Sequence, residues 1–339
     1  MAFPNGVWER GRWKNRADPG DAMSTADLGG PLLKAVSRSF YLTIRILPAR
    51  LQAPIGLAYL LARASDTIAD TAGAPEPVRL RHLAAFGEMI RAGTSAGLAD
   101  LQREIQPPDH GERELIARLD RWLARLASLP EHDRREIADV MEKIIRGQTL
   151  DLQRFPKGDG VIALQTAAEM DEYTYLVAGC VGEFWTRICV HHLPRYAREP
   201  ASELCRIGIN YGKGLQLVNI LRDIPADRRA GRCYLPADEL RAANSTPAKP
   251  AREVFDRWHA RAAAHLEDGR RYIAALRPAR LRIGCFLPWY LGVETLRLLG
   301  KNSPLESEEK IKVPRSTVRA AMLRAAFVAF SNRALAVKV

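Results

Sequence analysis

Apolar positions along the chain recur at helical spacing almost throughout, and alternating strand patterns are nearly absent. From Gly30 the series Leu32, Leu33, Val36, Phe40, Ile44 and Leu47 predicts a first helical region, with Pro48 and Pro54 bracketing a turn. The apolar run 55–69 predicts a long buried helix with an acidic end. Breaks follow at GAPEP (73–77), with the next helix from about Val78, at PPDHGE (107–112) and at SLPEHD (128–133). At the last of these Ser128 reads as a cap, with Glu131 three residues on. Helices are expected over about 130–155 and, after PKGDG, over 161–192. Pro200 precedes a central helix, and a short helical stretch follows Pro236. After the polar loop NSTPAKP come helices over 252–276, 281–299 and 316–336. Residues 1–28 lack periodicity and read as a loose arm. The expectation is one all-α domain over 29–339, roughly ten helices without internal repeat.

Composition narrows the partners. The chain has 339 residues, 47% hydrophobic, enough for a sizeable interior. Its net charge of +12 implies an acidic partner: nucleic acid, anionic lipid or a phosphorylated substrate. The basic residues are spread without a block of five, and no nucleic-acid motif appears, so no nucleic-acid partner is expected. Five widely spaced cysteines without a C-x-x-C give neither a disulfide framework nor a zinc site, and reduced thiols in the cytoplasm are expected. The N-terminus has no apolar core of a signal peptide, and no run of 18 apolar residues predicts a spanning helix. The last segment is amphipathic and basic. It reads either as a helix packed on the domain or as a peripheral membrane contact.

Candidate chemistry concentrates in YGKGLQLVNILRDIPADRRAGRCYLP (211–236). Asn219, Asp223 and Asp227 lie four apart. Steps of four return to nearly the same helix face, so three oxygen-bearing side chains share one stripe. Lys213, Arg222, Arg228, Arg229 and Arg232 surround it. Pro225, between the aspartates, is expected to end the regular helix and leave Asp227 on a loop. Asp66 and Asp70 form a second pair four apart, ending the apolar helix. Each pair alone also fits an exposed helix end with ordinary salt bridges. Two acidic clusters on two mostly apolar helices favour facing sites for a hard divalent ion, with cations suited to a diphosphate.

Four stretches resemble the squalene/phytoene synthase family: SRSF (37–40) followed by YLTIRILP, YLLARASDTIAD (59–70), EYTYLVAGCVGEFW (172–185) and 219–236. Their order and the all-α pattern cover about residues 31–300. The resemblance implies an isoprenoid-synthase-type helical bundle around a large central cavity. It implies Mg²⁺-dependent head-to-head condensation of two prenyl diphosphates. Asp66 and Asp70 match the first acidic motif, and Asn219, Asp223 and Asp227 the second, as catalytic metal ligands. Arg38, Arg63, Arg222 and Arg232 match diphosphate-neutralising positions, with Tyr59 and Gln216 lining the same cavity. Tyr175 falls at or beside a tyrosine that can move a proton, with a structural hydrogen bond as its competing role. Leu176 stands directly before V-A-G, one position beyond Tyr175. Ala69 replaces a frequent Glu without removing either aspartate. The small residues Ala178, Gly179, Gly182, Gly212 and Gly214 serve either a curved isoprenoid cavity or tight helix packing.

The family divides at the second half-reaction. Squalene synthases reduce presqualene diphosphate with NADPH, and phytoene or dehydrosqualene synthases lose a proton without a reductant. The only near match to G-x-G-x-x-G, GKGLQL (212–217), falls inside a helix, and its absence elsewhere does not exclude NADPH. The stretch FLPWYLGVETLRLL (286–299) with KIKVPRSTV (310–318) resembles squalene synthases. Lys310, Lys312 and Arg315 can reach a dinucleotide phosphate there or form a solvated basic loop. The expectation is a squalene synthase using two farnesyl diphosphates. The alternatives are a phytoene or dehydrosqualene synthase and a catalytically silent isoprenoid-binding homologue.

Overall fold

The computed structural model describes residues 30–37, 40–156, 158, 160–305 and 311–336. The expected arm (1–28), Arg38 and Lys310 lie outside the described residues.

The chain is an all-α bundle. Short helices α1 (Gly30–Ser37) and α2 (Phe40–Ile46) lead into α3 (Ala49–Asp70). Here Pro54 does not mark a turn but sits inside α3. The carbonyl it leaves without a donor belongs to Arg50, an exposed residue whose backbone water can satisfy. Helix α4 (Glu76–Ala92) starts where the two prolines place it and ends on Gly93 at φ 65°, the left-handed conformation glycine adopts without strain. Helices α5 (Leu98–Glu104), α6 (His110–Ala117) and α7 (Leu119–Ala127) wrap one side. Helix α8 (Glu131–Arg154) then runs back across the bundle. Its N-cap is Pro130, whereas Ser128 donates its Oγ hydrogen to the Arg125 carbonyl at the close of α7.

The helix expected over 161–192 begins instead as a strand. Residues Ile162–Ala163 (β1) pair in parallel with Arg232–Cys233 (β2). Gly160 at φ 98° turns the chain into this pairing, so the apolar run there serves a two-residue sheet. Next come α9 (Ala167–Thr174), a π-turn (Tyr175–Gly179) and α10 (Cys180–His192). The central helix α11 (Ala201–Arg229) packs on α10 and on α13 (Arg252–Ala275), after the short α12 (Ala237–Ala242). Helix α14 (Ala279–Lys301) covers α13, and α15 (Arg315–Val328) closes the bundle against α14.

Small residues decide how closely α10 and α11 approach. A Cβ on Gly182 would lie 2.0 Å from the Gly208 carbonyl, and one on Gly212 would lie 2.2 Å from the Ala178 carbonyl. Gly214 similarly abuts His265 on α13. Tight packing is therefore the role these glycines show. Two buried polar tips find partners inside: Trp289 Nε1 donates to the Leu266 carbonyl (2.8 Å) and Tyr211 Oη to that of Cys285 (2.7 Å). All five cysteines are free, four of them buried.

Candidate diphosphate and metal site

Three helices bring aspartates to one region near their C-terminal ends: α3 with Asp66 and Asp70, α8 with Asp151, and α11 with Asn219, Asp223 and Asp227. Pro225 does not end α11, which continues to Arg229. The expected loop placement of Asp227 is thus corrected. A mid-helix proline costs roughly 3 kcal/mol, and packing of the buried Leu221, Ile224 and Pro225 outweighs it. Asn219, Asp223 and Asp227 therefore share one helical stripe, with half-buried Gln216 three residues before it.

Contacts between the helices define the centre. Gln148 Nε2 on α8 donates to Asp66 Oδ1 on α3 (2.6 Å). Asp151 accepts from Arg232 Nη1 (2.9 Å) and Tyr234 Oη (2.7 Å), so β2 is held against α8. The Tyr173 side chain lies close enough to Asp151 to feel its charge, and its ring stacks on Tyr234 at 5.0 Å. Burial first, then the negative charges of Asp151, Asp227 and Asp70, push Tyr173 well above its ordinary value. Tyr173 thus lies within reach of acids from all three helices. Asp70 is raised to about 6, chiefly by desolvation and then by Asp66, with Asp151 adding to it and Arg232 opposing. The residue keeps surface exposure, while protein atoms crowd its carboxyl group. Asp151 is raised by burial despite its hydrogen bonds.

The cations are partly committed. Buried Arg222 grips neighbouring Asp223 with Nε at 3.0 Å and Nη2 at 2.5 Å, so it orients that carboxylate. Arg63 pairs with Glu112 and lies 3.8 Å from Asp66 Oδ2. Lys213, one of the cations around the stripe, is bound to Asp171. Tyr59 Oη donates to the Val36 carbonyl (3.2 Å), tying α3 to α1. Arg232 stands half-exposed beside Asp151.

The two tyrosines of 173–175 separate. Tyr175 Oη donates to Glu183 Oε2 (3.0 Å) in a network with Lys143 and Asp139 between α8 and α10. Tyr173 alone of the two joins the acidic centre. Tyr173, Gln148, Asp151 and Tyr234 are residues that sequence reasoning missed. The available signal was the Gln148-x-x-Asp151 spacing near the end of a long helix, which sets both side chains on one face.

A profile of the squalene/phytoene synthase family matches residues 33–317. The chain belongs to this family. A bifunctional lycopene cyclase/phytoene synthase of Gibberella fujikuroi is 29% identical over 217 residues, 64% of this chain and 36% of that protein. A squalene synthase of Cyberlindnera jadinii is 26% identical over 300 residues, 84% of this chain and 64% of that one. The chain thus spans about a third of the first relative and just under two thirds of the second. The solved structure of TcSQS with a ligand superposes at a TM-score of 0.73 and 23% identity, covering 91% of this chain and 89% of that one. That likeness bears on the fold, and both folds are all-α.

For this member of the family the donor types suit Mg²⁺, although among the described residues no three of these carboxylates come within 4.8 Å of one another. Carboxylate and amide oxygens are the ligands a hard divalent ion takes, and a cation would relieve the part of the rise at Asp70 that comes, after desolvation, from Asp66 and Asp151. Toward NADPH the described residues offer Lys312 and Arg315, both exposed and suited to a phosphate.

Proposed function

We propose that this squalene/phytoene synthase family member joins two farnesyl diphosphates head to head to give presqualene diphosphate, and then forms squalene with NADPH. The observation carrying the first step is the meeting of Asp70, Asp151 and Asp227 around Tyr173, with Asp66 beside Asp70. Asp66, Asp70, Asn219, Asp223 and Asp227 would hold Mg²⁺, which draws off the negative charge of a departing diphosphate. Arg222 keeps Asp223 oriented. Arg232 and Arg63, with Arg38, bind the diphosphate oxygens. Closing the cyclopropane ring requires loss of one proton from carbon. Tyr173 takes that proton on its oxygen while passing its own to Asp151, whose raised value favours acceptance. Lys310, Lys312 and Arg315 are the cations proposed for the dinucleotide phosphate. The unpaired cysteines support a cytoplasmic setting.

The phytoene synthase relative supports a second reading, in which a proton leaves without reduction. Product analysis separates the two. Farnesyl diphosphate and Mg²⁺ with NADPH should yield squalene, and without NADPH presqualene diphosphate. Dehydrosqualene regardless of reductant moves the protein to the second reading. No product from farnesyl or geranylgeranyl diphosphate removes both and leaves a silent isoprenoid-binding homologue.

A further inference from the structure

A second cationic feature lies at the opposite end of α11. Arg198 stands just before α11 begins, and Asp223 follows at roughly 33 Å along the axis, at 1.5 Å per residue. Arg198, Arg277 and Arg282 line a cavity of about 130 Å³ with Phe330 and Asn332, and among the described residues no acid lines it. Buried Arg282 donates Nε to the Val328 carbonyl (2.7 Å), Nη1 to those of Ile273 and Leu276 (3.2 and 3.1 Å), and Nη2 to Asn332 Oδ1 (2.6 Å). Arg198 Nη1 donates to the Ala274 and Leu276 carbonyls (3.0 and 3.3 Å), and Arg277 Nε to that of Ala197 (3.1 Å). Every partner is neutral. Each guanidinium has five N–H groups, so Arg198 and Arg277 keep donors for a further acceptor. Desolvation and the neighbouring Arg198 charge lower Arg282 from its ordinary value, as expected for cations gathered without a counter-ion among the described residues.

The rim of this cavity is apolar and faces water. Helix α15 turns small residues inward, with Ala321, Ala325 and Val328 buried. Its bulky residues point out: Leu323 is 71% exposed, Phe327 70%, and Phe330, just beyond the helix, 90%. Spacings of four and three place them on one stripe. Besides these, Val190 alone among the described residues is an exposed large apolar side chain. From Ile311 to Ala336 the sequence holds Lys312, Arg315, Arg319, Arg324 and Arg333 and no acid. An apolar stripe among cations, next to a pocket of uncompensated arginines, matches the layered chemistry of an anionic bilayer: phosphates outside, hydrocarbon beneath.

We propose that this face docks on an anionic lipid bilayer, with a lipid phosphate entering the cavity of Arg198, Arg277 and Arg282 while Leu323, Phe327 and Phe330 enter the acyl boundary. The occupant follows from Phe330, which belongs to both the pocket and the stripe; a free anion uses only the first. The experiment is flotation of the full chain with vesicles in EDTA, without substrate, so its outcome is independent of the reaction assigned above. Vesicles containing phosphatidylglycerol should carry the protein up, and phosphatidylcholine vesicles should carry about tenfold less. F327S/F330S, which alters only exposed side chains, and R198A/R277A should each lose most of the binding, while Asp223→Asn floats normally. The proposal falls if the protein does not float with phosphatidylglycerol. It also falls if both double variants float like the parent, or if inorganic phosphate stabilises parent and F327S/F330S equally while neither binds vesicles.

Discussion

Two groups of helix C-termini in this molecule are treated in opposite ways. At the end of α13, Arg198 and Arg282 donate to the last carbonyls of the helix, where positive charge is favoured by the backbone dipoles. Near the ends of α3, α8 and α11 stand Asp66, Asp70, Asp151, Asp223 and Asp227, negative charges on the unfavourable pole. Each such placement costs roughly 0.3–1 kcal/mol, and mutual repulsion adds to it. The first arrangement stabilises the fold. The second is only partly offset, by Arg222 on Asp223 and Arg232 on Asp151, and gains when further cations enter. The contrast separates structural charge from functional charge without appeal to conservation.

The largest expected effect breaks the acidic side. Asp66→Asn or Asp223→Asn should lower turnover by more than about 10³-fold, as losing a charge-stabilising ligand does, with no loss of melting temperature. Steady-state rates beside thermal melts test this, and near-parental turnover in either variant would remove the metal assignment. Next comes the basic side. Arg282→Leu strands several carbonyls and should destabilise the fold by about 3 kcal/mol. A denaturant melt with an unchanged midpoint would mean that the cap on α13 contributes nothing. The pair of variants thus loses opposite properties: activity at one set of helix ends, stability at the other.

Tyrosine exchange sharpens the comparison within the site. Tyr173→Phe removes the hydroxyl that lies near Asp151 and should slow presqualene diphosphate formation by about 10²-fold. Tyr175→Phe breaks only the bond to Glu183 and should change the rate by less than about threefold while lowering stability by about 1 kcal/mol. Single-turnover rates decide between them, and the reverse ranking would return the proton-transfer role to Tyr175.

Much of this was legible beforehand. The all-α fold followed from helical periodicity, and the two acidic motifs from their spacing of four. What escaped has definite physical causes. Local rules read Pro225 and Pro54 as breaks, yet buried neighbours on α11 and α3 hold both helices through the proline. The run after Gly160 looked helical because a two-residue strand is too short to show alternation, and its partner lies about seventy residues away. Asp151 and Tyr173 are single residues on amphipathic helices. Only the crossing of α8 with α3, and the β1–β2 pairing that anchors Arg232 and Tyr234, gives them neighbours to act on.

The smallest effect is also the most direct reading of the acidic end. Asp70 is raised to about 6 in the folded chain, from 3.8 as its ordinary value. Below about pH 4 the group is protonated in folded and unfolded chains alike, so it imposes no penalty. Between pH 4 and 6 the folded chain holds a proton the unfolded chain has released, so stability falls as pH rises through that window. Above about pH 6 the full penalty applies. Asp70→Asn, which mimics the neutral group, should therefore melt higher than the parent at pH 7.5 in EDTA, and the gap should close by pH 4. Added Mg²⁺ should reverse the order, because only the parent gains a complete ligand set. If the variant instead melts lower by the same amount at both pH values in EDTA, the carboxylate stabilises the fold by packing or hydrogen bonding. Asp70 would then belong with the arginines of α13 as a structural charge.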